Sequence, residues 1–391
     1  MPTRPPRYIL PVIVLAQFAG TSLWFAGNAI LPDLQVHLAL EADAIGAVTS
    51  AVQLGFIIGT LLFAFLSIAD RVSPSRVFWI CAWLGAAANL GVFLAEGLSL
   101  LLFFRFLVGF FLAGIYPVGM KIASDWYAGK LGTALGWLVG ALVLGTAFPH
   151  GLRGFTAGIS WQGVIVGTSL VAALGGIAVG LGVGDGPNRK AATQFNPSVL
   201  LTMFRAKPFR AAAFGYFGHM WELYTFWAFV PWLLSPLVTD SDSLSVGSFV
   251  IIALGSVGCV LGGYRALRTG SHRVAAGMLL TSGLCCLVAP WVLLHGPVWL
   301  QWGLLAVWGF AVVGDSPQFS TLAARTAPPA SIGTALTLVN SLGFALTIVS
   351  IQVLNMARSS FPESLEVLWL LLPGPVLGLW AIRPLLRSQT M

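Results

Sequence analysis

The chain is poor in charge. Only 8% of its 391 residues are Asp, Glu, Lys or Arg, against about 25% in a soluble domain. The motifs of the common enzyme classes are missing too. No G-x-x-x-x-G-K-[S/T], H-E-x-x-H, G-x-S-x-G or paired C-x-x-C occurs, so nucleotide hydrolysis, zinc proteolysis and serine-hydrolase chemistry have no support. The four cysteines, Cys81, Cys259, Cys285 and Cys286, all fall inside apolar runs. That placement reads them as small buried hydrophobes and not as disulfides or metal ligands. No cofactor and no metal are expected. Arg4 and Arg7 lead into an apolar stretch ending Asn-Ala-Ile-Leu-Pro-Asp, without the cleavage site of a signal peptide.

What fills the chain is apolar. Hydrophobic residues make up 57% and the mean hydropathy is +0.89, more than a soluble fold can bury, so a polytopic all-α membrane protein is expected. Runs long enough to cross a hydrocarbon core of about 30 Å fall at 8–31, 44–67, 76–95, 98–122, 131–150 and 161–183, then at 211–236, 245–264, 273–294, 297–321, 332–355 and 364–386. This predicts twelve transmembrane helices. A net charge of +7 and a pI of 9.6 would also suit a nucleic-acid binder. Here, though, the charges sit in short loops between apolar runs, which is the pattern of membrane topology. With the N-terminus inside, seventeen of the twenty Lys and Arg fall on cytoplasmic segments. Only Arg153 and Arg358 fall outside, and Arg105 stays in the membrane. A multi-pass inner-membrane monomer with both termini cytoplasmic follows, with no nucleic-acid partner. The polar segment 184–210 carries five positive charges and reads as a cytoplasmic linker. It divides a six-helix half, 1–183, from a second, 211–391.

The halves repeat each other at an offset near 200. GTAL stands at 132–135 and 333–336, and Gly109, Gly114 and Pro117 match Gly309, Gly314 and Pro317. The loop ADRVSPSR (69–76) matches ALRTGSHR (266–273). Three matches in order at equivalent positions indicate an internal repeat, and parallel six-helix halves are a known transporter architecture. On these residues the chain resembles the major facilitator superfamily. Asp70, Arg71 and Arg76 fit that family's G-x-x-x-D-R-x-G-x-[R/K]-[R/K] loop, while Leu66, Ser73 and Pro74 depart from it. Span four, LLFFRFLVGFFLAG (101–114), resembles the arginine-containing motif of proton-coupled members. Span five, GWLVGALVLG (136–145), matches the antiporter motif only in part, since Ala141 replaces its proline.

The resemblance implies that spans 1, 4, 7 and 10 line a central cavity. Each carries a polar or aromatic stripe at helical spacing. Trp24, Asn28, Arg105, Tyr116, Tyr224 and Trp308 are the candidate substrate contacts. Arg105 has two open readings, a structural arginine bonding carbonyls or an anion-attracting and acid-pairing group. Glu222, His219 and Asp315 are the candidate proton-coupling groups. An acidic residue at the middle of a membrane helix costs roughly 2.5–3.5 kcal/mol on insertion scales, so its retention needs a reason. Three stay open for Glu222: a fixed pair with Arg105, a neutral hydrogen-bonded acid, or a carboxyl cycling between the two. Asp315 has a structural reading as a cap at the Pro317 break, and His219 as a hydrogen-bonded helix residue. The resemblance further assigns Asp70, Arg71, Arg76 and Gly333 to gating, with Asp70 facing the start of span eleven.

The sequence thus predicts a secondary transporter working by alternating access on a small organic solute, with proton coupling. Arg105 suggests an anionic solute. A proton antiporter for amphipathic compounds, using Trp24, Tyr116, Trp221 and Tyr224, is the alternative. An intramembrane enzyme built on His219, Glu222 and Asp315 would explain neither the repeat nor the loop.

Overall fold

In lipid every backbone N–H and C=O needs a partner inside the protein, and a helix supplies all of them locally. The computed structural model describes residues 5–41, 43–127, 131–156, 158–189, 203–328 and 332–387, with Asp70 and 131–133 as backbone alone. These residues form helices and turns. In chain order the helices are α1 (Ile9–Thr21), α2 (Ala44–Phe65), α3 (Pro74–Leu90), α4 (Leu98–Leu112, continuing as Tyr116–Trp126), α5 (Leu131–Phe155) and α6 (Trp161–Gly182). Then follow α7 (Lys207–Leu234), α8 (Ser241–Thr269), α9 (Ser271–His295), α10 (Val298–Gly314, continuing as Ser316–Thr326), α11 (Ile332–Ser360) and α12 (Pro373–Arg387).

The sequence predicts twelve crossings. Among the described residues ten helices are long and apolar enough to cross a membrane, and α1 and α7 are not among them. Helix α1 stops after 13 residues. Thr21 Oγ1 donates to the Gln17 carbonyl at 2.8 Å and Ser22 Oγ to that of Ala19 at 2.7 Å, and such local bonds compete with the helix. Helix α7 has 28 residues, but Lys207, Arg210, His219, Glu222 and a run of aromatics dilute its hydropathy.

Contacts divide the chain into two compact units, Met1–Glu41 with Ala51–Phe195 and Ala42–Ser50 with Asn196–Met391. The boundary between residues 195 and 196 falls inside the polar segment 184–210, of which residues 190–202 lie outside the described set.

Within each unit the repeat becomes a matter of backbone approach. A Cβ on Gly109 of α4 would lie 1.9 Å from the Val52 carbonyl of α2, and one on Gly55 would lie 2.0 Å from that of Phe106. In the second unit a Cβ on Gly309 of α10 would lie 2.2 Å from the Ile251 carbonyl of α8, and one on Gly258 would lie 2.2 Å from that of Phe310. Small residues let membrane helices approach this closely, so the matched glycines do the same work in both units. The helix breaks match too. Helix α4 is interrupted at 113–115 and restarts at Tyr116 with Pro117 in its first turn. Helix α10 is interrupted at Asp315 and restarts at Ser316 with Pro317. Proline is tolerated there because a first-turn N–H has no helical partner.

The matched loops, by contrast, differ. After α2 the chain turns at Ser67, whose φ of 52° is left-handed, and makes a short helix Ile68–Arg71. Ser73 then caps α3. After α8 the helix runs on to Thr269 and turns at Gly270, with a φ of 86°. A glycine takes that conformation without the Cβ clash. Serine and proline at 73 and 74 require another route.

Candidate functional site

The first unit is built around a buried guanidinium. Arg105 is 0% exposed. Beyond Thr21 the chain leaves the helix at Ser22–Phe25, which frees carbonyls, and Arg105 takes two of them. Its Nη2 donates to the carbonyls of Leu23 at 3.1 Å and Trp24 at 2.5 Å, and its Nη1 donates to Asn89 Oδ1 at 3.1 Å. The Asn89 amide in turn donates to the Ile165 carbonyl, Thr168 Oγ1 and Ser169 Oγ at 3.0–3.3 Å. Gly27 leaves room for the arginine stem, since a Cβ there would lie 2.8 Å from Arg105 Nε. One cation therefore ties α1, α3, α4 and α6 together. The Trp24 ring lies 4.9 Å from that of Phe56, which lies 6.4 Å from Tyr116. Trp24 and Tyr116 thus flank a phenylalanine that sequence reasoning passed over. Asn28 is buried on the short helix Ala26–Ala29.

The second unit holds the acids. Glu222 on α7 is 1% exposed and meets three donors. Trp308 Nε1 donates to Oε1 at 2.5 Å, Cys286 Sγ to Oε1 at 3.2 Å, and Ser282 Oγ to Oε2 at 2.9 Å. Trp308 is itself held against Phe226, with ring centroids 4.6 Å apart. One turn earlier on α7, His219 Nδ1 comes within 2.8 Å of Asp315 Oδ1, with both side chains buried. The contact is close but poorly directed, and neither these two atoms nor His219 Nε2 and Asp315 Oδ2 has a well-formed hydrogen bond. Helices α7 and α10 therefore meet at two rungs, Glu222 with Trp308 and His219 with Asp315. Asp315 stands at the break in α10 but makes no side-chain cap bond, so the capping role is not what the structure shows. Tyr224 points elsewhere and packs on Trp227 and Phe344.

The chemistry of Glu222 turns on Ser282. A tryptophan N–H can only donate, whereas a hydroxyl can donate or accept. Ser282 Oγ lies 2.9 Å from Oε2 and also 3.2 Å from the Leu279 carbonyl. With the carboxylate ionised, the serine hydroxyl donates to Oε2. With Oε2 protonated, the acid donates to the serine oxygen and the serine hydroxyl turns to Leu279. Both states are satisfied without moving a heavy atom.

Of the gating candidates, Arg71 and Arg76 are exposed, the Asp70 side chain lies outside the described set, and Gly333 sits in the first turn of α11 with open space where a Cβ would be. Of the loop's departing residues, Ser73 has a partner of its own, and its neighbours are tied down beside it. Ser73 Oγ donates to Asp185 Oδ1 at 2.6 Å, Arg189 bonds Asp185 and the Val72 carbonyl, and Ser75 Oγ donates to the Gly184 carbonyl. Sequence reasoning missed Asn89, Ser282 and Cys286. Asn89 could have been found as the one amide in an otherwise apolar run; the other two carry no such signal.

A family model described as Major Facilitator Superfamily matches residues 13–351. The chain belongs to the Major Facilitator Superfamily. It is a multi-pass membrane transporter and not an enzyme. No curated protein matches it significantly. Among solved structures it is similar to a variant of the E. coli fucose:proton symporter FucP, with a TM-score of 0.69 and 14% identity over 98% of this chain and 100% of that one. At that identity the likeness speaks for the superfamily fold.

Proposed function

We propose that this superfamily member is a proton-coupled secondary carrier of a small organic solute, and that Glu222 is the group that takes up and releases the proton. The carrying observation is the buried carboxyl whose Ser282 partner satisfies it in either protonation state. Fixed pairing would call for a cation, and its bonded partners are Trp308, Cys286 and Ser282. The His219–Asp315 rung is a second titratable pair on the same two helices. FucP, which shares the fold, is a proton symporter. Both terminal nitrogens of Arg105 are used inside the first unit, so we place that residue in the fold and do not require a negative charge on the solute. The buried aromatics Trp24 and Tyr116, on either side of Phe56, favour a solute with an apolar face. The alternative of exporting amphipathic compounds draws on Trp24, Tyr116, Trp221 and Tyr224, of which Tyr224 packs on Trp227 and Phe344.

The proposed topology is twelve crossings in the inner membrane with both termini cytoplasmic, supported by the lysine and arginine asymmetry. Proteoliposome flux tests the coupling: an imposed pH gradient alone should drive solute accumulation, and in the same vesicles a cysteine at Ser241 should react only from the outer face. Accumulation indifferent to the gradient would sink the proton reading.

Asp70 is proposed to latch the two halves in one state of the transport cycle. A carboxylate near a helix N-terminus is worth about 0.3–1 kcal/mol, up to about 2 when partly buried, enough to bias a two-state equilibrium about tenfold. Asp70→Asn should therefore cut flux about tenfold or more while leaving the melting temperature within about 2 °C. Normal flux in that variant would reduce the loop to a topology signal.

A further inference from the structure

We propose that the groove between α7 and α12 is a binding site for one anionic two-chain phospholipid. The groove has a volume of about 1110 Å³ and is lined entirely from the second unit. One end carries Lys207, Arg210, Arg383 and Arg387, all exposed. No Asp or Glu lies between Asp185 and Glu222 or after Glu366, so the four cations have no acidic side chain on their own segments to neutralise them. They are four positive charges on two adjacent helix ends, and among the described residues the groove's lining holds no acidic side chain.

The rest of the groove is apolar. Phe214, Phe217, Leu377 and Trp380 line it, and Phe214, Leu377 and Trp380 are 48%, 62% and 66% exposed. Its lining runs from Lys207 to Trp221 on α7 and from Arg387 back to Pro373 on α12. At 1.5 Å per residue that is about 20 Å, the depth of one leaflet, headgroup region included, of a bilayer about 40–45 Å thick overall. At the apolar end the helices close on each other. A Cβ on Gly218 would lie 2.4 Å from the Gly374 carbonyl, and Trp221 Nε1 donates to the Leu370 carbonyl at 2.8 Å. The arrangement is therefore graded, with cations at headgroup level and an aromatic and aliphatic channel one leaflet deep. A phosphodiester with two acyl chains matches both parts. A soluble anion would leave the channel unfilled, and a zwitterionic lipid would leave the cations uncompensated. Basic pockets between membrane helices bind anionic headgroups in this way.

The test uses the purified full-length protein in neutral detergent, with dioleoyl phosphatidylglycerol, dioleoyl phosphatidylcholine or inorganic phosphate added. Native mass spectrometry should show one phosphatidylglycerol retained, and that lipid alone should raise the melting temperature through preferential binding to the folded state. Each cation near the surface changes affinity about fivefold. Arg383→Gln with Arg387→Gln should thus weaken phosphatidylglycerol binding about 30-fold and leave phosphatidylcholine binding unchanged. Should that variant not fold, Lys207→Gln with Arg210→Gln removes the facing charges, and the wild-type comparison of the two lipids still decides. Equal retention of both lipids, or unchanged affinity in a folded double variant, would overturn the proposal. Stabilisation by phosphate equal to that by phosphatidylglycerol would show a free-anion site and overturn it as well.

Discussion

Glu222→Gln should bind its solute and exchange it across the membrane, yet fail to accumulate it against a gradient. The amide is close in shape to the protonated acid. Its Nε2 can donate to Ser282 Oγ, as the protonated Oε2 would, and its Oε1 can still accept from Trp308 and Cys286, the two donors that meet that oxygen in the wild type. Little packing is disturbed, so the variant should keep its melting temperature within about 1 °C, roughly 1 kcal/mol for a protein of this size. What it loses is the ability to release a proton. Gradient-driven accumulation should fall at least 100-fold, while counterflow of labelled solute stays within about threefold of wild type. Accumulation with wild-type pH dependence would remove Glu222 as the coupling acid, and the His219–Asp315 pair would then be the group to test by Asp315→Asn.

Arg105→Leu should be a folding defect before it is a transport defect. The substitution leaves three buried acceptors, the Leu23 and Trp24 carbonyls and Asn89 Oδ1, without their donor. An unsatisfied buried polar group costs about 1–3 kcal/mol; three at the low end of that range come to about 3–5 kcal/mol, and larger single-site losses are exceptional. Thermal melting in detergent should shift down by about 4–6 °C, or the protein should not be recovered as a monodisperse species. Gly27→Ala should give a weaker form of the same defect, because its Cβ would lie 2.8 Å from Arg105 Nε. A well-folded Arg105→Leu protein with a selective loss of solute binding would return the arginine to the substrate site.

Much of this was written in the order of residues. Apolar runs bounded by short charged loops require membrane helices, since no other element satisfies a backbone in lipid. The paired glycines and prolines at an offset of 200 foretell matching helix approaches and breaks because backbone contact admits no side chain. His219 and Glu222 stand out because an ionisable group in such a run is costly. The sequence by itself therefore determined the all-helical membrane fold, the repeated packing within each unit and the placing of Arg105, His219, Glu222 and Asp315 inside apolar runs, though not the burial of Asp125, His150 and His272. Which group meets which was decided only by the tertiary structure. Arg105 could face solute, acid or carbonyl, and the choice depended on an unwound turn at Ser22–Phe25 some 80 residues away in the chain. Glu222 could be paired or neutral, and its nature depends on Ser282, Cys286 and Trp308, 60 to 86 residues further on. Helical periodicity fixes the face a side chain occupies, but the rotation and depth of the neighbouring helix fix its partner, and these are set by close packing across the whole unit.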